Sequence, residues 1–402
     1  SHESRIYWSP ENIVVSAGLS EHNQISTQRL SGSSTPTYSL KLNRKYKMSY
    51  RVTKNIKFGY QREIGSNFDD IFIPDGGSLN TNIPNVISSF FNEDRDSSMG
   101  LIKSRSETFN INFIPDFMKW LNPNIKYNST YSWALSSSNQ NSANIGSSGR
   151  LITSVGFSLT NLVENYYKPE KSRETNRRRG QSNKTDNKII EINNPILKSL
   201  LKWTHAFSDK FSKINITHSY SAINGYGNIL AIEQPNLYYR FGLSDSPHNG
   251  ITVYDTTGSV NSFSHQYTND FKISTNVSIT KKIQASIEYR DNKNLILQST
   301  SDPTENISST FFPLGIRGDE GFPIFNWNIN WSGLEKFFFL DEIFRTISVQ
   351  HTFNGDYSAS YRDQELQSWG YSRNFSPLFG FTAKTNNKNP YTFRFNYIQT
   401  LN

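Results

Sequence analysis

The chain has 402 residues, of which 35% are hydrophobic and 14% aromatic, and it carries 42 Lys and Arg against 34 Asp and Glu for a formal net charge of +8. The absence of cysteine excludes a disulfide framework and any thiolate metal site, and no stretch approaches the run of about eighteen apolar residues that a transmembrane helix needs. With 28 Phe and 21 Tyr beside abundant Ser, Asn and Thr, the composition suits a wall with one greasy and one wet face, because a lipid interface takes amphipathic rings and a channel lining takes small polar groups.

From the amino terminus onward, apolar residues alternate with polar ones. Tyr38, Leu40 and Leu42 run on through Tyr46, Met48, Tyr50 and Val52, followed by Ile56, Phe58 and Tyr60, then Phe109, Ile111 and Phe113. Next come Ile125, Tyr127, Tyr131 and Trp133, then Leu151, Val155, Phe157 and Leu159, then Ile214, Ile216 and Tyr220. At 271–292, Phe271, Ile273, Val277 and Ile279 precede Lys281-Lys282, and Ile283, Ile287 and Tyr289 follow, which is a hairpin with one apolar face. The last third adds Phe325, Trp327, Ile329 and Trp331, then Ile347, Val349 and Phe353, then Phe379 and Phe381, and finally Tyr391, Phe393, Phe395 and Tyr397. The pattern predicts about thirteen strands of about nine to fifteen residues, longer than ordinary globular strands and long enough for a tilted membrane wall.

The predicted fold is therefore all-β: an antiparallel transmembrane β-barrel wall with short interfacial helices, built by residues 1–402 as one segment. Ile273, Val277, Ile279, Ile287, Phe393 and Phe395 are expected to face lipid. Their neighbours Asn276, Ser278, Arg394 and Asn396 are expected to face the lumen. The stretches 114–123, 194–211 and 332–344 are apolar without strict alternation and predict short amphipathic helices at the interface. Trp120, Leu200, Trp203, Phe207, Phe337, Phe338 and Phe339 are their anchors. An even number of strands separates these segments, so all three are expected on one rim with the tight turns at 53–55, 281–282 and 385–389. The long loops at 65–104, 136–149, 223–265 and 299–321 are expected on the other, and LYYRFGLS at 237–244 is the place where an extra strand would upset that count. Short turns mark the periplasmic side of such barrels.

Between Lys168 and Lys188, eight cations against three carboxylates supply +5 of the net +8. A basic flexible loop at 164–194, with Lys171, Arg173, Arg177, Arg178 and Arg179, could meet phosphate or anionic lipid. It lacks the interleaved aromatics of a single-strand binder, so no nucleic-acid partner is expected. The seven His show no ligand spacing, the carboxylate pairs Asp69-Asp70, Asp319-Glu320 and Asp341-Glu342 sit near turns, and GSSG at 146–149 lacks the Lys of a phosphate loop. No catalytic group, metal or cofactor is expected.

Several stretches resemble SprA-type proteins, the giant outer-membrane translocons of the type IX secretion system. They are NFSPLFGFTAKTNNKNPYTFRFNYIQT (374–400), the segment 326–357 with its WSGLEK, TPTYSLKLNRKYKMSYRVTKNIKFGYQ (35–61) and 194–222. The resemblance covers most of the chain in order and corresponds to a carboxy-proximal part of a longer family member. It implies a wall segment of a very large export pore in the bacterial outer membrane, which also supports gliding motility in some relatives. Implied partners are outer-membrane lipid, translocated protein cargo, a plug protein and a cargo-shuttle barrel. The missing initiator Met and the Leu401-Asn402 end are expected of an excised or processed piece, whose first and last strands (near 11–20 and 390–400) would be unpaired edges. The alternatives are another large outer-membrane barrel, a receptor-type transporter or lipopolysaccharide-assembly protein, and a soluble extracellular β protein that binds glycans.

Overall fold

In the computed structural model the described residues are 6–27, 34–67, 101–116, 118, 120–136, 141–166, 195–231, 234–247, 262–299, 301–310, 325–337 and 340–401. Alternation of rings and branched residues with Ser, Asn and Thr forms one antiparallel sheet of fourteen strands. These are β1 (Asn12–Thr27), β2 (Ser34–Thr53), β3 (Ile56–Asn67), β4 (Leu101–Phe113), β5 (Leu121–Leu135), β6 (Ser142–Phe157), β7 (Ile214–Leu230), β8 (Phe263–Ser278), β9 (Ile283–Gln298), β10 (Ser301–Thr310), β11 (Asn326–Ser332), β12 (Phe344–Arg362), β13 (Glu365–Thr385) and β14 (Thr392–Leu401). Apart from β10 and β11, each strand pairs with its neighbour in sequence, a pattern that only antiparallel hairpins allow with short connections.

One place in the wall is shared. β10 pairs with the later halves of β9 and β12, β11 with their earlier halves, so the two lie end to end as a single interrupted strand. Fourteen strands thus fill thirteen places. The sequence expectation of a long loop over 299–321 is corrected here: residues 301–310 form β10, which ends at Thr310, at mid-height. Polar ladder residues such as Asn306, Ser308 and Ser309 hide this strand from a search for alternating apolar groups. The expected loop at 136–149 is likewise shorter, since β6 begins at Ser142, and β7 extends into the expected 223–265 loop as far as Leu230.

Helix α1 (Leu159–Tyr166) and helix α2 (Pro195–Ser208) join β6 to β7, and the four-residue helix α3 (Leu237–Arg240) follows β7. Of the three interfacial helices expected, only the second forms among the described residues. Residues 114–116 have no regular structure and Met118 bridges to Leu121, where β5 already starts; Pro115 and Pro123 leave too little chain between them for a costly helical nucleus. Between β11 and β12 the chain makes two 3₁₀ turns, Leu334–Lys336 and Leu340–Glu342, entered through Gly333 at φ 78°. LYYRFGLS contains α3 and no strand, so the parity of the sheet is undisturbed.

Because successive places in the sheet alternate in direction, the links after β2, β4, β6, β8, β11 and β13 lie at one rim, which we term the turn rim; those after β1, β3, β5, β7, β9 and β12 lie at the loop rim, and β10 and β11 run in the same direction and meet at mid-height. The three apolar segments all fall at the turn rim. Local chemistry sets several reversals: Thr280 Oγ1 accepts from the N–H groups of Lys282 (3.2 Å) and Ile283 (3.0 Å). At the loop rim Asp363 and Gln364 take φ of 49° and 66°, the left-handed pair that a two-residue hairpin requires. Among the described residues β1 pairs only with β2 and β14 only with β13.

Candidate functional site

Directly opposed residues in a ladder share a face, so the register can be followed across the whole wall. From Ile273 the chain of partners runs through Tyr289 and, by way of Ile287, to Trp327, Phe353 and the β12–β13–β14 ladder, where Val349 meets Phe381 and Phe381 meets Phe395. In the other direction Ile273 meets Ile216, which meets Val155 and Pro123. Ile273, Val277, Ile287, Phe393 and Phe395 therefore share one face, with Ile279 in the same phase just beyond β8. Asn276, Ser278, Arg394 and Asn396 share the other.

The first face is apolar along its turn-rim half and much of it is open: Phe393 and Phe395 are 55% and 57% exposed. Trp331 and Tyr391 stand on or beside it near that rim, and Trp327 and Tyr397 nearer mid-height. The second face carries small polar groups and cross-strand ion pairs, Lys272–Glu288 at 2.8 Å and Arg290–Asp270 at 2.9 Å. An apolar surface of this extent cannot be left to water, and thirteen places of long strand with closed internal ladders suit a bilayer, where every backbone group needs a partner. The fold is an antiparallel transmembrane β-barrel wall.

The interfacial residues gather at the turn rim. Trp120 packs edge-on against Phe157 at 5.5 Å. On α2, Leu200, Trp203 and Phe207 are exposed, with Trp203 stacked on Phe207 at 5.4 Å. Phe207 in turn packs against Phe211, and Phe211 bridges to Val277, so the helix's apolar ridge joins the apolar face. Phe337 is exposed, edge-on to Trp331 at 6.4 Å, with the Lys282 ammonium 5.6 Å from its ring centre. Phe338, Phe339 and the basic residues Lys171, Arg173, Arg177, Arg178 and Arg179 lie outside the described residues; α1 already occupies 164–166 of the expected loop.

The loop-rim half of the apolar face holds a feature absent from the sequence expectations. Residues 234–247 fold back over β4 to β8 as a strap. Asn236 caps α3, its side chain accepting from the Tyr239 N–H at 2.7 Å. Tyr239 is fully buried between Tyr131 and Tyr226, and its hydroxyl donates to the Asn224 carbonyl at 3.1 Å. Arg240 forks onto the Glu107 carboxylate, with Nε to Oε2 at 3.0 Å and the second contact through Nη2, while Arg62 approaches Glu107 at 3.5 Å. Burial alone would lower the Arg240 guanidinium's pKa, but the hydrogen bonds and charge of Glu107 outweigh it and hold it above its ordinary value. Gly242 crosses Gly149 so closely that a Cβ on Gly149 would lie 2.3 Å from the Gly242 carbonyl oxygen. The in-phase charges Arg62 and Glu107 were the available sequence signal: each occupies a position that the alternation assigns to the apolar face.

At the interrupted strand, side chains replace missing ladder partners. The Arg290 N–H donates to Thr310 Oγ1 (3.2 Å), whose hydroxyl donates back to the Arg290 carbonyl (3.3 Å), and the Gly355 N–H donates to Asn326 Oδ1 (2.9 Å). The break is thereby closed in hydrogen-bonding terms on both sides.

No family model matches the chain, and no curated protein matches it. Among solved structures, the ferric-catecholate import receptor Fiu from E. coli K12 in its open form is similar at a TM-score of 0.30 and 9% identity. That alignment covers 98% of this chain and 62% of the receptor, so the chain spans less than two thirds of the receptor's length.

Proposed function

We propose that this chain forms wall of a large protein-export channel in the bacterial outer membrane, of the type IX secretion kind that its sequence resembles. The supporting observation is the separation of faces: across thirteen consecutive places the ladders carry an apolar phase on one side and a polar phase on the other, interrupted by charges such as Arg62 and Glu107 and by register shifts at bulges. A wall of that kind acts through the width and polarity of its lumen. It carries out no bond-making step, and metal and cofactor have no part in the proposal. The turn rim, with α2, Trp120 and Phe337, sits at the periplasmic interface, where a plug and a cargo shuttle would dock.

Depletion of the protein tests this reading. Folded cargo bearing a carboxy-terminal secretion signal should then accumulate in the periplasm, with the protein itself recovered in detergent-extracted outer membranes. Stable solubility without detergent would overturn the membrane assignment, and intact export with loss of nutrient uptake would replace the export channel by a receptor-type transporter.

A further inference from the structure

We infer that β2 and its neighbours carry a cationic track on the polar face, running from Arg51 near the turn rim to Lys41 opposite the last residue of β3, that takes acidic polypeptide. The inference rests on the assignment of the polar face to the channel. On β2 the polar register reads Lys41, Asn43, Lys45, Lys47, Ser49, Arg51, without a carboxylate. Lys57 of β3 stands directly opposite Arg51. At the loop-rim end the ladder between β3 and β4 shifts register around Lys103, a bulge of the kind that re-aims a side chain. Lys103 lines a hollow of about 470 Å³ with Lys41, Asn43 and Ser104.

Six cations thus meet two carboxylates among the described residues, Glu63 on Lys45 at 2.7 Å and Glu11 on Arg51 at 2.6 Å. Lys41, Lys47 and Lys57 are exposed. The strands on either side leave the long side chains standing clear: β1 presents Asn12, Val14, Ser16, Gly18 and Ser20, and β4 presents Ser104, Ser106, Thr108, Asn110 and Asn112. Two like charges directly opposite, Arg51 and Lys57, destabilise a ladder, so the fold alone gives no reason for this column. Elsewhere on the same face, by contrast, Lys272 and Arg290 are neutralised by cross-strand carboxylates.

Focused positive potential in a lined channel attracts counter-charge and falls with salt. The track fits an extended acidic polypeptide better than a nucleic acid, because the positions between its cations are Asn43 and Ser49, and a strand of bases is held by interleaved rings.

The test uses the purified protein in detergent and a fluorescent polyglutamate peptide as probe, followed by anisotropy. Binding is expected at low salt and should disappear at high salt. The triple variant Lys41→Gln, Lys47→Gln, Lys57→Gln should weaken it about tenfold, and Lys202→Gln, on the exposed side of α2, should leave it unchanged. Equal binding by wild type and triple variant overturns the track, as does single-stranded DNA of matched charge binding as tightly as the peptide. A separate arm tests the underlying face assignment: in a chain without cysteine, Ser49→Cys should react with a water-soluble thiol reagent in membranes and Met48→Cys should not. The reverse labelling pattern would overturn the face assignment itself, whereas the expected pattern with unchanged peptide affinity would overturn only the track.

Discussion

Glu107 illustrates how one side chain can contradict its own strand. It lies in the apolar phase of β4, 3% exposed, and an ionised carboxylate there is tolerable only because Arg240 and Arg62 meet it. Removing one partner of a buried pair costs about 3 kcal/mol or more, since the remaining charge keeps its desolvation penalty. Arg240→Ala should therefore release the strap: protease should cut within 234–247 while the strand signal in circular dichroism stays unchanged. Tyr239→Phe deletes only the hydroxyl that reaches the Asn224 carbonyl and should cost about 1 kcal/mol, too little to free the strap. If Arg240→Ala leaves the strap as resistant as in wild type, the ion pair does not hold it.

At the scale of the strand, the period of two makes adjacent positions opposite experiments. Ile273 and Ser274 are neighbours on β8, one on each face. Ile273→Arg should destabilise the wall by about 2 to 4 kcal/mol if it sits near the bilayer midplane, and Ser274→Arg by almost nothing; urea midpoints in lipid vesicles measure both. The 3₁₀ link at the turn rim responds to pH instead. The Ile347 N–H donates to the Glu335 carboxylate at 3.0 Å, which holds that carboxyl below its ordinary range. A carboxylate depressed in the folded state stabilises above its unfolded pKa, and the contribution is lost as pH falls through the folded one. Hydrogen exchange at Ile347, corrected for its intrinsic rate, should accordingly lose protection on acidification below the ordinary carboxylate range. Glu335→Gln should show no such dependence.

For the molecule as a whole, the decisive quantity is parity. Every apolar segment at the turn rim and every hairpin at the loop rim depends on the alternation of direction from place to place, which survives because β10 and β11 share one place and one direction. Since the chain contains no cysteine, single introduced thiols report sidedness cleanly. Asp363→Cys, at the loop rim, should label on whole cells with a membrane-impermeant reagent, and Asn386→Cys, at the turn rim, only after the outer membrane is breached. Labelling of Asn386→Cys on whole cells would invert the orientation, and labelling of both would deny that the wall is a barrier.

What the sequence alone determined is whatever depends on neighbours one or two residues apart. Alternation is local, so the strand class and the two phases at Ile273/Ser274 or Phe393/Arg394 are legible in the sequence; the even count of four between the second and third apolar segments holds for places only, since five strands lie there and β10 and β11 share one place. The tertiary structure decided the rest, because it depends on partners far apart in the chain. Whether Ser142 to Gly149 is a loop or a strand depended on ladders to β5 and β7 and on a strap pressed against Gly149. That β10 and β11 are halves of one strand follows from their shared partners β9 and β12. Prolines at 115 and 123 and the pull of the β4–β5 ladder outweighed the apolar content that suggested a helix there. Glu107 and Arg62 stood out in the sequence as charges in an apolar phase, but only the fold supplied Arg240, 133 residues away from Glu107, as the cation that makes the position tenable.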